Sequence, residues 1–381
     1  MKVQIIVTHL LGAGHLSRAL TLGRAYADAG DEVQVLSGGF PVPQLDATGV
    51  ELVQLPPLRS DGVNFKRLLG EDGDLADDAY YIRRKQALRD TFAAFQPDVL
   101  ITELYPFGRR TLRVEFRDTI ETAHQATNRP LILSSIRDIL APPTKPERIA
   151  EAEDILATLY DGVLVHSDPE TTRLDLSWPV KDDLAAKLHY TGYVVPAAPK
   201  PQADGIGKGE ILVSAGGGSI GDELFDAALE AARLTPDLTW RILIGGSDAA
   251  ERIANFRAKG SPAIVEAARS DFREMMCHAR ASISMCGYNT ALDVLQSGVP
   301  AIFIPFDAGT EVEQGIRAEA LSKLGSIKTL RRATLTPQQL LEGLDELARA
   351  PKREITQKGF DGAAQTAALT RRLVDDHRSR Q

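Results

Sequence analysis

The chain has 381 residues, 43% of them hydrophobic, with 52 acidic against 44 basic side chains and a net charge of −8. That length allows two domains with a sizeable core, and the acidic balance argues against a general nucleic-acid binder. No apolar window reaches the ~18 to 20 residues of a membrane-spanning helix, so work on lipid would be done from the surface. The two cysteines, Cys277 and Cys286, have no metal-ligand spacing and fit a reducing cytoplasm.

Taken in order, the first half alternates strand and helix patterns. Val3 to Val7, Glu32 to Leu36, Val99 to Thr102, Leu131 to Ser134 and Val163 to His166 read as buried strands; 17–29, 79–95 and 110–127 read as helices. This is the signature of a doubly wound parallel sheet, an α/β fold. Between Gly192 and Gly209 the chain turns rich in Pro, Ala, Gly and Lys, which reads as a linker. The pattern then restarts with strands at 211–214, 239–244, 263–266, 281–285 and 301–304 and a helix at 222–233. The expected division is a first domain over 1–195, a second over 206–364, and a terminal helix over 365–381 that packs back on the first. Ligands of open α/β sheets bind at the carboxyl ends of the strands, so two such domains imply a site in a cleft between them.

Three stretches carry chemistry. Thr8-His-Leu-Leu-Gly-Ala-Gly-His15 joins the first strand to the first helix. Gly12 and Gly14 give only part of a dinucleotide fingerprint, and Leu36-Ser37 stands where an acidic ribose ligand would be expected, so NAD is disfavoured. The loop instead presents His15 at a helix start, where the positive helix end favours a neutral imidazole able to act as a base. A histidine that merely caps the loop is the plain alternative, and for His9 it is at least as good a reading.

The second stretch, Ser214-Ala-Gly-Gly-Gly-Ser-Ile-Gly221, lets backbone come close to a phosphate, with the Ser219 hydroxyl as a further donor. The third runs from Met285 to Pro305. Asn289 or Thr290 can cap a helix that Gly298 and Pro300 end, so the free amides of its first turn form an anion site. Asp293, about one turn in, can accept hydrogen bonds from ribose hydroxyls, and Glu313-Gln314 can fix sugar hydroxyls.

Gly-x-Gly-His near the amino terminus, Gly-Gly-Ser in mid-chain, Gly-x-Asn-Thr-x-x-Asp with Gly-x-Pro, and the following Glu-Gln together resemble the GT-B glycosyltransferases of the MurG type. Those enzymes move N-acetylglucosamine from a UDP-sugar to a lipid-linked acceptor. The resemblance covers the whole chain in order and implies two Rossmann-like domains. It implies that Gly217, Gly218 and Ser219 approach the diphosphate, that Gly287, Asn289 and Thr290 bind phosphate, and that Asp293 holds the ribose. It further implies donor-sugar contacts from Glu313 and Gln314, and a base-reading loop around Ala268 and Phe272. The His-Glu-Gln-Asn stretch of the MurG type is replaced here by Ser134-Ser-Ile-Arg-Asp138, which points to a different acceptor. Gly12, Gly14 and Arg137 are then the acceptor-side residues, and Glu103 is an acceptor ligand or an alternative base. Pro106 to Arg110 also resembles a stretch in a group of predicted glycosyltransferases.

The expected function is inverting transfer from a nucleotide-sugar donor, taken as UDP-linked, to an unknown lipid- or glycan-linked acceptor. No cofactor or metal is expected, and no nucleic-acid partner. Asp72-Gly-Asp74 has an Asp-x-Asp form but sits in a polar run without a preceding strand. A hydrolase of nucleotide sugars and an inactive nucleotide-sugar-binding subunit are the rivals. Peripheral membrane contact, at the inner face, would rest on Lys66-Arg67, Arg83 to Lys85 and Arg109-Arg110 with Phe65, Leu68, Leu69 and Phe107 nearby.

Overall fold

Val3, Ile5 and Val7 face one apolar cluster while Ile6 between them faces another, the period of two that a strand buried on both sides must show. The same alternation recurs at Val99, Leu100 and Ile101, and at Leu131, Ile132 and Leu133. Each side chain so buried is worth roughly 1.5–3 kcal/mol. The computed structural model describes residues 1–10, 13–61, 67–143, 145–201, 205–216, 220–246, 248–306, 312–351, 353 and 359–380. These fall into two units, Met1–Pro196 with Gly359–Gln381, and Ala197–Lys358.

In chain order the first unit has β1 (Lys2–Val7), α1 (Gly14–Asp28), β2 (Glu32–Gly39), β3 (Glu51–Ser60), β4 (Leu68–Leu69), α2 (Asp78–Phe95) and β5 (Val99–Glu103). It continues with α3 (Arg113–His124), β6 (Leu131–Arg137), α4 (Pro146–Leu159), β7 (Gly162–His166), α5 (Asp182–Ala185) and β8 (Leu188–Tyr190). Its sheet runs β4-β3-β2-β1-β5-β6-β7-β8, parallel except for the β3–β4 pair. Strand β3 is absent from the sequence reading because Pro56 and Pro57 interrupt it. The sheet tolerates them next to a register shift between Ser37 and Gly39.

The second unit has β9 (Ile211–Ser214), α6 (Asp222–Leu234), β10 (Trp240–Ile244), α7 (Ala249–Arg257), β11 (Ile264–Ala267), α8 (Phe272–Met276) and β12 (Ala281–Ser284). Then come α9 (Tyr288–Ser297), β13 (Ala301–Phe303), α10 (Glu313–Leu321), β14 (Ile327–Thr329) and α11 (Pro337–Arg349). The sheet is parallel in the order β11-β10-β9-β12-β13-β14.

The last helix, α12 (Gly362–Arg378), belongs to the first unit. Tyr26 on α1 hydrogen-bonds Thr370 across 2.7 Å, and Arg371 donates to Asp31 at 2.7 Å. Gly362 is where the helix passes closest to the chain it rejoins: a Cβ there would lie 2.4 Å from the Gly192 carbonyl oxygen. Its amide instead donates to the Tyr193 carbonyl.

Candidate active site

In an open α/β sheet the binding position lies where crossovers on either side of one strand leave in opposite directions, at the strands' carboxyl ends. In the first unit that point lies between β1 and β5, and the chain places His15 and Glu103 there. Helix α1 begins at Gly14, three residues before the sequence pattern indicates, with Ala13 as an N-cap that offers no side-chain bond. His15 therefore stands in the helix's first turn. Glu103 is the last residue of β5 and is 1% exposed.

The two side chains meet: His15 Nδ1 lies 2.6 Å from Glu103 Oε1. A carboxylate can only accept, so Nδ1 carries the proton and Nε2 keeps its lone pair. Arg18, one helical turn beyond His15, donates to the same Glu103 oxygen, and Arg109 Nη2 lies 3.9 Å from Glu103 Oε2. Burial alone would raise the Glu103 pKa, but the hydrogen bond from His15 and the charges of Arg18 and Arg109 hold it well below the usual carboxylate range. Glu103 is thus ionised, with both donors on Oε1, while Oε2 has no hydrogen-bond partner among the described residues. It orients the histidine and, held ionised with Oε1 engaged, is the weaker candidate for the base. The His15 pKa is lowered to about 4, chiefly by burial, which outweighs the opposing pull of Glu103; helix polarity is not the leading cause.

A buried polar layer continues beside the pair. Ser135 Oγ lies 2.8 Å from His166 Nε2, and His166 Nδ1 lies 2.8 Å from Thr191 Oγ1, with all three residues buried. His166 is held neutral by burial, its pKa lowered to about 3. Ser134 donates to the Tyr105 carbonyl and so fixes the loop after Glu103. His9 is 6% exposed and bonds the Phe40 carbonyl at 2.9 Å, the structural role the sequence allowed it. Arg137 closes β6 at the same end of the sheet. Gly12 lies outside the described residues, while a Cβ on Gly14 would meet nothing within 4 Å.

In the second unit the corresponding point lies between β9 and β12. Gly217, Gly218 and Ser219, which follow β9, lie outside the described residues. After β12, Gly287 is the N-cap of α9 and no side chain caps the helix, so Asn289 and Thr290 lie inside its first turn. This corrects the expectation that one of them is the cap. It also leaves the first turn of α9 without a side-chain cap, the arrangement in which helix amides can meet an anion. Gly287 has φ −63°, which any residue can adopt, and a Cβ there would meet nothing within 4 Å. The fold does not demand glycine at this point, whereas a phosphate approaching the amides would.

Asp293 accepts from Arg273 Nε at 2.7 Å, and Arg273 Nη2 also donates to Gln296 at 2.7 Å. Burial raises the Asp293 pKa against the pull of Arg273, so the arginine is what keeps this carboxylate available as an acceptor. Gln314 accepts the Phe306 amide at 3.1 Å and Glu313 opens α10, which sets both beside the end of β13. Ala268 spends its amide on the Ile244 carbonyl at 2.9 Å, so only its carbonyl could meet a base, and Phe272 begins α8. Arg317, buried on α10, donates to the Cys286 carbonyl at 3.0 Å and lies over the Tyr288 ring, anchoring the start of α9.

Asp72 and Asp74 of the Asp-x-Asp stretch are exposed, in keeping with its polar run. Asp72 accepts the amide of Asp74 at 3.1 Å and closes a surface turn. Of the residues expected to form a lipid-docking patch, Leu68, Phe107 and Arg84 are buried and the Arg109 side chain is 8% exposed, while Arg67 and Arg83 are exposed. Lys66 and Phe65 lie outside the described residues. No helix among the described residues is long and apolar enough to cross a membrane.

Residues 212–369 match the glycosyltransferase family 28 C-terminal domain. Over 144 residues the chain is 33% identical to the UDP-N-acetylglucosamine--N-acetylmuramyl-(pentapeptide) pyrophosphoryl-undecaprenol N-acetylglucosamine transferase of Brucella anthropi, which is 36% of this chain and 38% of the relative. The enzyme of that name from Thermotoga neapolitana is 29% identical over 139 residues, 36% of this chain and 40% of the relative. The chain thus spans under half the length of the curated relatives it matches. Among solved structures, Acinetobacter baumannii MurG covers 98% of this chain and all of its own, with TM-score 0.61 at 16% identity. The kitacinnamycin glycosyltransferase gives 0.66 at 18% identity over 98% of this chain and 99% of its own. VinC, solved with dTDP, gives 0.61 at 16% identity over the full length of both. The fold is that of the MurG-like GT-B glycosyltransferases, and the match to the family 28 C-terminal domain falls mostly on the second unit.

Proposed function

We propose that the protein transfers a sugar from a nucleotide-sugar donor to a hydroxyl acceptor, with inversion and without a metal. The family 28 match over 212–369 carries this reading, because it falls on the unit whose switch point presents uncapped helix amides, Asp293 and the Glu313–Gln314 pair. A UDP-linked donor is the first candidate, since the Brucella relative is named for one.

His15 Nε2 takes the proton of the acceptor hydroxyl as its oxygen forms a bond to the anomeric carbon. The bond from that carbon to the diphosphate breaks, and the leaving oxygen gains negative charge, which the first-turn amides of α9 stabilise. Glu103 holds the imidazole in the required tautomer and stabilises the imidazolium that forms. Because amides meet the leaving group's charge, the scheme calls on no cation. The acceptor is left open, since Ser134 to Asp138 replaces the MurG-type stretch.

A thermal-shift series with UDP-, GDP- and dTDP-sugars tests the proposal, because stabilisation follows the affinity for the folded state. One nucleotide class should raise the melting temperature well above the others. No response to any of them would remove the reading.

A further inference from the structure

We propose that Arg109 is a specificity-determining residue that binds a carboxylate on the acceptor, beside the hydroxyl that His15 deprotonates. This rests on the glycosyl-transfer reading above and names the chemistry of its acceptor.

The Arg109 side chain is 92% buried, the complement of its 8% exposure, yet its Nε and Nη2 make no hydrogen bond to any described residue. Buried donors of a cation are costly to leave unmatched. Glu103 Oε2, a buried acceptor that also has no hydrogen-bond partner among the described residues, stands 3.9 Å from Nη2, beyond hydrogen-bond reach. The charges acting on Arg109 are Glu103, Arg137 and Arg18, one negative against two positive, and burial lowers its pKa in spite of Glu103. The histidines nearby do not add acid or base to this balance at neutral pH, since burial lowers the pKa of His9, His15 and His166 alike. The group is therefore an under-compensated cation at the carboxyl end of β5, next to the candidate base.

Nε and Nη2 form one edge of the guanidinium, two parallel donors that match the two oxygens of a planar carboxylate. A monoanion fits the charge balance. A dianionic phosphate would set two negative charges close to Glu103, which is already ionised and buried. The loop bearing Arg109 is held in place for this part. Leu104 and Arg109 adopt left-handed φ values of 67° and 58°, and the Gly108 amide closes the turn on the Leu104 carbonyl at 2.8 Å. Non-glycine residues keep such conformations only where their surroundings enforce them.

Ligand-observed NMR on the full-length protein tests this with D-glucuronate, D-glucose and D-glucose 6-phosphate as probes. Glucuronate should bind at least about tenfold more tightly than either of the others, and Arg109→Gln should remove that advantage. Arg109→Lys, which keeps the charge without the planar fork, should fall with it. Stabilisation by UDP should persist in both variants, which shows that they fold and that the donor side is intact. The proposal is overturned if a wild-type protein stabilised by UDP ignores glucuronate, or if glucose or its 6-phosphate binds as well. Unchanged glucuronate binding in Arg109→Gln overturns it too. A wild-type protein that no nucleotide stabilises would instead remove the glycosyl-transfer reading, a failure visible in the UDP arm alone.

Discussion

The two units share a doubly wound parallel sheet, and in each the switch point lies between the unit's first strand and a later one, β1 with β5 and β9 with β12. What they place there differs in kind. The first unit gathers ionisable groups, His15, Glu103, Arg18 and Arg109, in a buried cluster. The second presents backbone, with an uncapped helix start at Gly287, and keeps its carboxylate Asp293 tied to Arg273. Under the proposed function this difference divides the labour of one architecture: titratable groups would move a proton, and fixed amides would hold charge without titrating.

The sharpest way to break this comparison is to remove the base. His15→Ala should lower kcat by roughly 10²- to 10⁴-fold and leave donor affinity unchanged, as turnover and calorimetry would show. Next in size, Glu103→Gln takes away a negative charge that faces both Arg18 and Arg109. Roughly 3–5 kcal/mol of stability should go with it, together with most of the activity, read by denaturant unfolding and turnover. If Glu103→Gln were as stable as the wild type, the cluster would not be the coupled unit described here.

In the second unit the expected effects are smaller and confined to binding. Asp293→Ala should weaken donor binding about tenfold, with kcat at saturating donor little changed. Gly287→Ala should leave stability within ~0.5 kcal/mol of the wild type, since its Cβ meets only open space, and weaken diphosphate binding severalfold. A variant that lost stability and kept nucleotide affinity would reverse that assignment. The smallest effect is on pH. The His15 pKa is lowered to about 4, so the acid limb of kcat/KM should fall below pH 6, where an ordinary histidine would already have lost activity. The sign for stability is the same. The unfolded chain binds the His15 proton near 6.5 and the folded chain only near 4, so stability is full above that range and falls as pH drops through it.

Much of the architecture is legible in the sequence because its strands are buried on both faces and read as apolar runs, as Val99 to Thr102 and Ile211 to Ser214 do. Strand β3 is not, since its prolines hide a strand that only the pairing with β2 reveals. In the site, motif glycines and Asp293 stand out because spacing alone carries them. The partnership of His15 with Glu103 does not, for 88 residues separate them and only the parallel pairing of β1 with β5 brings them together. Arg18 had a local signal, three residues after His15 on one helix face. Arg109 had none that distinguished it from a solvated basic cluster, because its burial is a property of the loop and not of its neighbours in sequence.

Calorimetric titration of the donor nucleotide into wild-type protein and His15→Ala, with single-turnover rates on the same samples, tests the division of labour most directly. The account predicts equal affinities and a rate lower by at least about 10²-fold in the variant. Nucleotide affinity that fell in step with the rate, or a rate that His15→Ala left intact, would contradict it.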